Sequence, residues 1–377
     1  MRINEEVMKK GYYIHFQGRE SIGVSKKIDM QLAEFERHFQ IEELEVTTPQ
    51  RGILERIIGL WPTASIKRNY QAALNQLESP DFIYVRRTVA DKEYVAFWRE
   101  IKKRFPDCKI IIEIYTYPYD KDDFGKWNAW PFYFKELIYR KQLKNYIDRF
   151  VTYTDDKEIF GLKTIITRNG IDLSRISTVE GEYKEDRITL LAVAFMQRHH
   201  GYERIIEGLR SYYQQGNSQY TVELKLVGDG PEKAEYERLV GKYHLQDYIE
   251  FYPTMSGEAL EQLYDESDIA MASFGMYKLG YDGKLSALKT REYLAKGMPI
   301  VTGCKIDVLN DDYFYVHNFS NSRENINVNE IVEFYVKIKT KNLKKAVTTD
   351  EIRKYAEETV GMEKVMLPII SFIESEE

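Results

Sequence analysis

The chain has little of what would place it outside a cell or across a bilayer. Its 377 residues hold only two cysteines, Cys108 and Cys304, far apart and in strand-like settings. They support neither a disulfide framework nor zinc-ligand spacing, so a reducing cytosol is the expected compartment. No apolar run reaches the roughly 18 residues of a membrane-spanning helix. The opening "MRINEEVMKKGYYIHFQ" lacks the apolar centre of a secretory signal. No G-x-G-x-x-G follows the first strand, which disfavours a dinucleotide-dependent dehydrogenase. The net charge of −6 argues against a general nucleic-acid binder. Internal repeats and low-complexity tracts are also missing.

What is present is length enough for two cores and an ordinary apolar content of 43%. Aromatic content is high at 14%, with 29 tyrosines. Charge is uneven: residues 1–170 hold 29 Lys+Arg against 25 Asp+Glu, whereas the remainder holds 25 against 35. A mildly basic front half on an acidic protein suits an anionic acceptor or membrane surface, or is uneven surface charge and nothing more.

Short apolar runs alternate with amphipathic stretches, which predicts βα units and parallel sheets. "YYIHF" (12–16), "FIYVRR" (82–87), the β-branched "KIIIEIY" (109–115), "RFVTYT" (149–154) and "TIITRNGID" (164–172) read as strands. Helices are expected from about Val24 to His38 and near 91–104. The polar "STVEGEYKEDR" (177–187) reads as a linker. The pattern restarts with strands "ITLLAVAF" (188–195), "TVELKLVG" (221–228), "YIEFYP" (248–253), "SDIAMAS" (267–273) and "MPIVTG" (298–303). The expected fold class is α/β, two Rossmann-like domains facing each other across a cleft. The first covers 1–175, with a C-terminal helix at about 358–377 packing back on it, and the second covers 185–357. Open sheets of this kind bind ligands beyond the carboxyl ends of their strands.

The stretch "LSALKTREYLAKGMPIV" (285–301) carries the clearest chemistry. Ser286 reads as an N-cap, so that Ala287, Leu288 and Lys289 form a first turn with unpaired N–H groups. Such an end favours an anion. Lysine is out of place there unless a phosphate neutralises it. Glu292 falls six residues past that cap, about 9 Å along the axis, the span from a diphosphate to the ribose of the same nucleotide. Its carboxylate can accept from two vicinal hydroxyls. The plain alternative is an exposed i,i+3 ion pair of Lys289 with Glu292. "KLVGDGPE" (225–232) ends a strand in a glycine turn and opens a helix, which puts Gly228 and Gly230 where a ligand could approach closely.

Taken together, "LLAVAFMQRHHGYERIIEGL", "LVGDGPE", "IEFYPTMSGEALEQLYDESDIAMASF" and "LSALKTREYLAKGMPIVTG" resemble the GT-B glycosyltransferases, of the family 4 type, over about 190–303. In the first half "GVSKKI" (23–28), "EIYTYPYD" (113–120) and "NGID" are similar to members that assemble bacterial surface polysaccharides. The resemblance implies retaining, metal-independent transfer of a sugar from a nucleoside diphosphate sugar, UDP-sugar foremost, with no cofactor. Glu292 matches the second glutamate of the family's Glu-x7-Glu motif, which binds ribose. The backbone at Ser286, Ala287 and Leu288 with the Lys289 ammonium would hold the diphosphate, and Gly23 would be the first-strand glycine near the donor phosphates.

The sequence departs from that pattern at two places. The motif's first glutamate is replaced by Lys284, beside Asp282. The lysine usual after the strand at 190–195 is replaced by His200, with Arg198 and Arg204 nearby. Lys284 and Lys289 are therefore the candidate catalytic cations, with Arg198 and His200 as donor contacts. On the first half, Tyr117 is the acceptor-side catalytic candidate, among Tyr115, Thr116 and Asp120. The stretch 127–150 mixes Trp127, Trp130, Phe132 and Phe134 with Lys135, Arg140, Lys141 and Lys144, which suits contact with anionic lipid from the cytosolic face, or a partner subunit. Expected partners are the nucleotide sugar and a glycan or lipid-linked acceptor, with a homo-oligomer or partner subunit as a further reading. The competing functions are a non-catalytic GT-B partner of an active transferase, and a GT-B enzyme of another reaction such as an epimerase or phosphorylase.

Overall fold

A computed structural model describes residues 8–16, 22–49, 52, 61, 64–115, 117–120, 129–216, 219–310 and 312–376. Thr116 and Trp127 lie outside the described residues. The chain forms two compact units, residues 1–168 with 362–377, and 169–361. The segment 177–187 is held within the second unit, where the Val179 amide donates to the Lys296 carbonyl at 2.9 Å and the Glu180 amide to Asp265 at 2.8 Å.

The first unit carries β1 (Lys10–His15), α1 (Ile22–Glu36), β2 (Gln40–Glu45), α2 (Tyr70–Leu74), β3 (Phe82–Arg86), α3 (Lys92–Arg104), β4 (Lys109–Ile114), α4 (Trp130–Tyr139), β5 (Arg149–Thr152), β6 (Glu158–Ile159) and β7 (Leu162–Ile166). Strand order is β2-β1-β3-β4-β5-β7-β6, parallel except for the β6–β7 pair. Alternation along the strands divides the core in two. Ile83, Val85, Ile110, Ile112 and Ile114 face one layer, while Phe82, Tyr84, Ile111 and Val151 face the other. The second layer is completed by the C-terminal helix Met362–Glu374, whose Met366, Ile369 and Ile373 pack against α1 and the sheet. Sequence reading missed β2. "QIEELE" has four exposed or half-exposed acidic or polar positions because it is an edge strand, with only Leu44 buried. Helix α3 starts where expected, since Asp91 caps it by accepting from the Tyr94 amide at 2.8 Å.

The carboxylate of Glu113 is wholly buried in this unit. Glu113, at the end of β4, accepts from Lys27 (3.1 Å), Gln31 (2.7 Å), Tyr84 (2.5 Å) and Arg86 (3.3 Å). Burial works against the charged form, but Lys27 and Arg86 outweigh it and bring the carboxyl down to about 2. Burial also lowers Lys27 to about 8, with Glu113 opposing. Replacing Glu113 with leucine leaves two cations facing each other in a dry layer. The expected loss of stability is about 3–5 kcal/mol, read from the denaturation midpoint; a midpoint equal to the parent's contradicts this account.

The second unit carries β8 (Arg187–Val193), α5 (Glu203–Gln214), β9 (Thr221–Val227), α6 (Lys233–Tyr243), β10 (Ile249–Tyr252), α7 (Glu258–Asp265), β11 (Ile269–Met271), α8 (Leu288–Ala295), β12 (Ile300–Thr302), β13 (Val316–Asn318), α9 (Val328–Lys341) and α10 (Lys345–Thr359). Its parallel sheet has the order β10-β9-β8-β11-β12-β13. The chain winds outward one way from β8 and then the other way from β11, so the switch point lies between those two strands. The loops after β8, β9 and β11 therefore converge at one sheet end.

Candidate functional site

The loop after β8 turns through a 3-10 segment, Arg198–His200, and leaves it at Gly201 with φ 65°. A Cβ on Gly201 would lie 2.6 Å from the Gly275 nitrogen, so only glycine lets this turn meet the loop after β11. The two loops are joined by the Phe274 amide on the His200 carbonyl (2.8 Å) and the Gly275 amide on the His199 carbonyl (3.1 Å). His200 accepts from the Gln197 amide through Nδ1 at 3.0 Å, which puts its proton on Nε2. Burial, reinforced by Lys289, pushes its pKa down to about 2, so the imidazole is neutral and a hydrogen-bond donor. Arg198 is exposed at the start of the turn. Arg204 points inward to the Phe274 and Glu324 carbonyls, at 2.7 and 2.5 Å, and braces the loop from behind.

The loop after β9 contains Gly228 (φ 129°) and Gly230 (φ 144°). Here the close approach is made by the protein itself: a Cβ on Gly228 would stand 2.0 Å from the Ala194 carbonyl oxygen, and one on Gly230 2.4 Å from that of Met196. These glycines let the β8 and β9 loops interlock, with the Met196 amide donating to the Asp229 carbonyl at 2.6 Å. The ligand-approach reading of them is corrected to that extent.

Helix α8 departs from expectation at its first residue. Ser286 is not the N-cap; that position is Ala287, extended at ψ 132° and without a side-chain bond. The Ser286 hydroxyl is occupied elsewhere, accepting from the Asn169 amide and the Arg291 guanidinium, both at 3.0 Å. Asn169 also donates through its side chain to the Ser286 carbonyl at 2.6 Å. Arg291, fully buried, donates to the Asn169 carbonyl (2.9 Å) and to Asp307 (2.5 Å). The helix's first backbone bond is made by Thr290, to the Ala287 carbonyl at 3.1 Å. The amides of Ala287, Leu288 and Lys289 consequently have no hydrogen-bond partner among the described residues.

Lys289 turns from this end toward the β8 loop. Its half-buried side chain donates to Tyr202 Oη (3.2 Å) and the Ala272 carbonyl (3.1 Å), both uncharged. Burial lowers its pKa to about 7, with Cys304 opposing. It does not pair with Glu292, which is half-buried and accepts from Tyr264 Oη at 3.0 Å. Glu292 lies about 7–8 Å past the true cap along the helix axis. Lys284 is exposed ahead of the helix, and its carbonyl accepts from Tyr281 Oη at 2.8 Å.

Lys289, His200 and the open amides thus share one end of the second sheet, with Gly228 and Gly230 on the neighbouring loop. In the first unit, Gly23 lies in the opening turn of α1 rather than in a loop, and Tyr117 is half-buried against Tyr119 and Phe160. Sequence reading missed Tyr202, Tyr264 and the Asn169–Arg291 pair. All four read as ordinary core or turn residues, and no spacing marks them.

Residues 176–305 match the family described as glycosyl transferases group 1. That match covers about a third of the chain and falls within the second unit. No curated protein matches the chain in sequence. Among solved structures, a glycosyltransferase from Rickettsia africae is similar over 98% of this chain and 100% of its own, with TM-score 0.62 and 11% identity. Sucrose-phosphate synthase from Thermosynechococcus elongatus is similar over 97% and 98%, at 0.59 and 14%. The pneumococcal O-GlcNAc transferase GtfA, solved with UDP and GlcNAc, is similar over 81% of this chain and 58% of its own, at 0.51 and 14%. The two-sheet fold is that of these structures.

Two consequences can be measured. Gly228→Ala would force a Cβ into the Ala194 carbonyl at a left-handed φ, with an expected stability loss of about 2–4 kcal/mol in denaturant unfolding. The Lys289 effect depends on pH. Its folded pKa lies below its unfolded one, so between about pH 7 and 10 the unfolded chain binds more protons and stability rises with pH. Relative to the parent, Lys289→Met should therefore become more stable as pH falls through that window, by about 1–3 kcal/mol in all. A pH-independent difference between the two would show that the ammonium carries no such cost.

Proposed function

We propose that the chain is a retaining glycosyltransferase that moves a sugar from a UDP-sugar to a lipid-linked or polymeric glycan acceptor, in bacterial surface-polysaccharide assembly on the cytosolic side of the membrane. The observation that carries this reading is the uncapped start of α8: three open amides beside a half-buried lysine whose two partners are uncharged. A pyrophosphate supplies the missing acceptor for the amides and the missing counter-charge for Lys289. Charge growing on the leaving diphosphate is stabilised by preset dipoles and that ammonium, which is electrostatic catalysis. His200 Nε2–H and Arg198 add donors from the neighbouring turn, and Gly228 and Gly230 hold the β9 loop back from the same end.

Glu292 takes the ribose hydroxyls, with Tyr264 orienting the carboxylate. Lys284 supplies positive charge where the family pattern has a glutamate. In the first unit, Gly23 is assigned to the donor phosphates and Tyr117 to the acceptor. The UDP of the pneumococcal relative supports a uridine donor, whereas retention and independence from metal rest on the sequence resemblance. Lys284 also sustains the second reading, a non-catalytic partner of an active transferase.

Thermal shift against UDP and GDP, with assay of UDP-sugar hydrolysis and transfer, tests the proposal. UDP should stabilise the parent, and Glu292→Gln should weaken that binding about tenfold or more through loss of a charge-assisted bond to ribose. Binding without turnover favours the non-catalytic reading. A UDP response that Glu292→Gln leaves intact removes the nucleotide from this helix end.

A further inference from the structure

A helix cap works through two atoms. Its carbonyl accepts the first bond of the helix, and its side-chain oxygen accepts from an amide of the first turn. At Ser286 both atoms are committed elsewhere. The carbonyl accepts from the Asn169 side chain at 2.6 Å, and the hydroxyl accepts from the Asn169 amide and the Arg291 guanidinium, each at 3.0 Å. The residue ahead is tied down as well. The Leu285 amide donates to the Lys305 carbonyl at 2.8 Å, and the Leu285 carbonyl accepts from the Asp307 amide at 3.1 Å. Arg291 is held in turn by Asp307 and the Asn169 carbonyl. Asn169 lies just ahead of Ile171, whose amide donates to the Val360 carbonyl at 2.9 Å. Helix α8 therefore starts at Leu288, behind Ala287, which has no side-chain oxygen to offer.

Local preference points the other way. Serine is among the best cap residues and alanine among the poor ones. Without its long-range partners, the helix would begin one residue earlier, on Ser286, and the hydroxyl would take the Leu288 or Lys289 amide. We infer that Asn169 and Arg291 are positioning residues for the donor diphosphate. They withhold the serine from its own helix, so that the amides of Ala287, Leu288 and Lys289 stay available to an anion. Neither side chain touches the diphosphate in this account; each acts by keeping a local cap from competing with it. The inference deepens the proposed function and rests on its reading of this helix end as the diphosphate site.

UDP binding by titration calorimetry in the parent, Asn169→Ala, Arg291→Lys and each of these combined with Ser286→Ala tests it. Asn169→Ala releases the carbonyl. Arg291→Lys removes the guanidinium from the hydroxyl and keeps a cation beside Asp307. Each should weaken UDP about three- to tenfold, the scale of one helix cap. Adding Ser286→Ala should recover most of that loss, because alanine cannot cap. A merely structural clamp gives the opposite sign: the second substitution would lower affinity and melting temperature further. Arg291 is fully buried, whereas Asn169 is half-buried, so Asn169→Ala carries the test if Arg291→Lys does not fold. Amide hydrogen exchange needs no nucleotide. Exchange at Leu288 and Lys289 should slow in Asn169→Ala and return to the parent's rate in the double variant. A parent that ignores UDP while exchange follows this pattern counts against the donor reading alone. The inference is overturned if Asn169→Ala leaves both UDP affinity and exchange unchanged, or if Ser286→Ala deepens its loss.

Discussion

The candidate site hangs on one clamp. Asn169, at the start of the second unit, holds Ser286 by backbone and side chain, and Arg291 ties both to Asp307. Because the serine hydroxyl is spent on that clamp, it is unavailable to the helix behind it. The amides of Ala287, Leu288 and Lys289 find no partner among the described residues, where a capping side chain would have taken one of them, and the clamp holds the backbone just ahead of them. A helix end that is unsatisfied and tied by its neighbours is suited to an anion.

Buried charge is handled in opposite ways in the two units. Around Glu113 two cations and two neutral donors converge on one carboxylate, and every member has a partner. That is the arrangement of a stable core. Lys289 has only a phenol and a carbonyl for company, and burial brings its pKa to about 7. A cation kept without a counter-ion destabilises the fold, and such costs collect where a protein binds something charged.

Glycine serves the same end by another route. Gly201, Gly228 and Gly230 allow three loops to interlock at atomic contact at the sheet's switch point. No ligand is needed to account for them. Their effect is to set the distances among His200, Lys289 and the start of α8. Helix α4 is governed by the reverse logic. Its Lys135 and Glu136 are buried in the first unit beside Phe132 and Tyr133, and Trp130, Phe134, Leu137 and Ile138 are left outward.

Much of this was legible in one dimension. The β-branched runs of β4 and β8 and the return of strand–helix alternation after the middle of the chain depend on neighbours within a few residues, where the periods of strands and helices act. Edge strand β2 escaped because its acidic pattern takes meaning only from its place at the margin of a sheet. Ser286 was misread as a cap because its real partners lie 117 positions earlier and five later, and the contest between cap and clamp is settled only when those groups meet. The partners of Lys289 and Glu292, and the outward turn of α4, were likewise decided by folding. Local pattern determines which elements form; which polar atoms find one another inside them is a property of long-range packing.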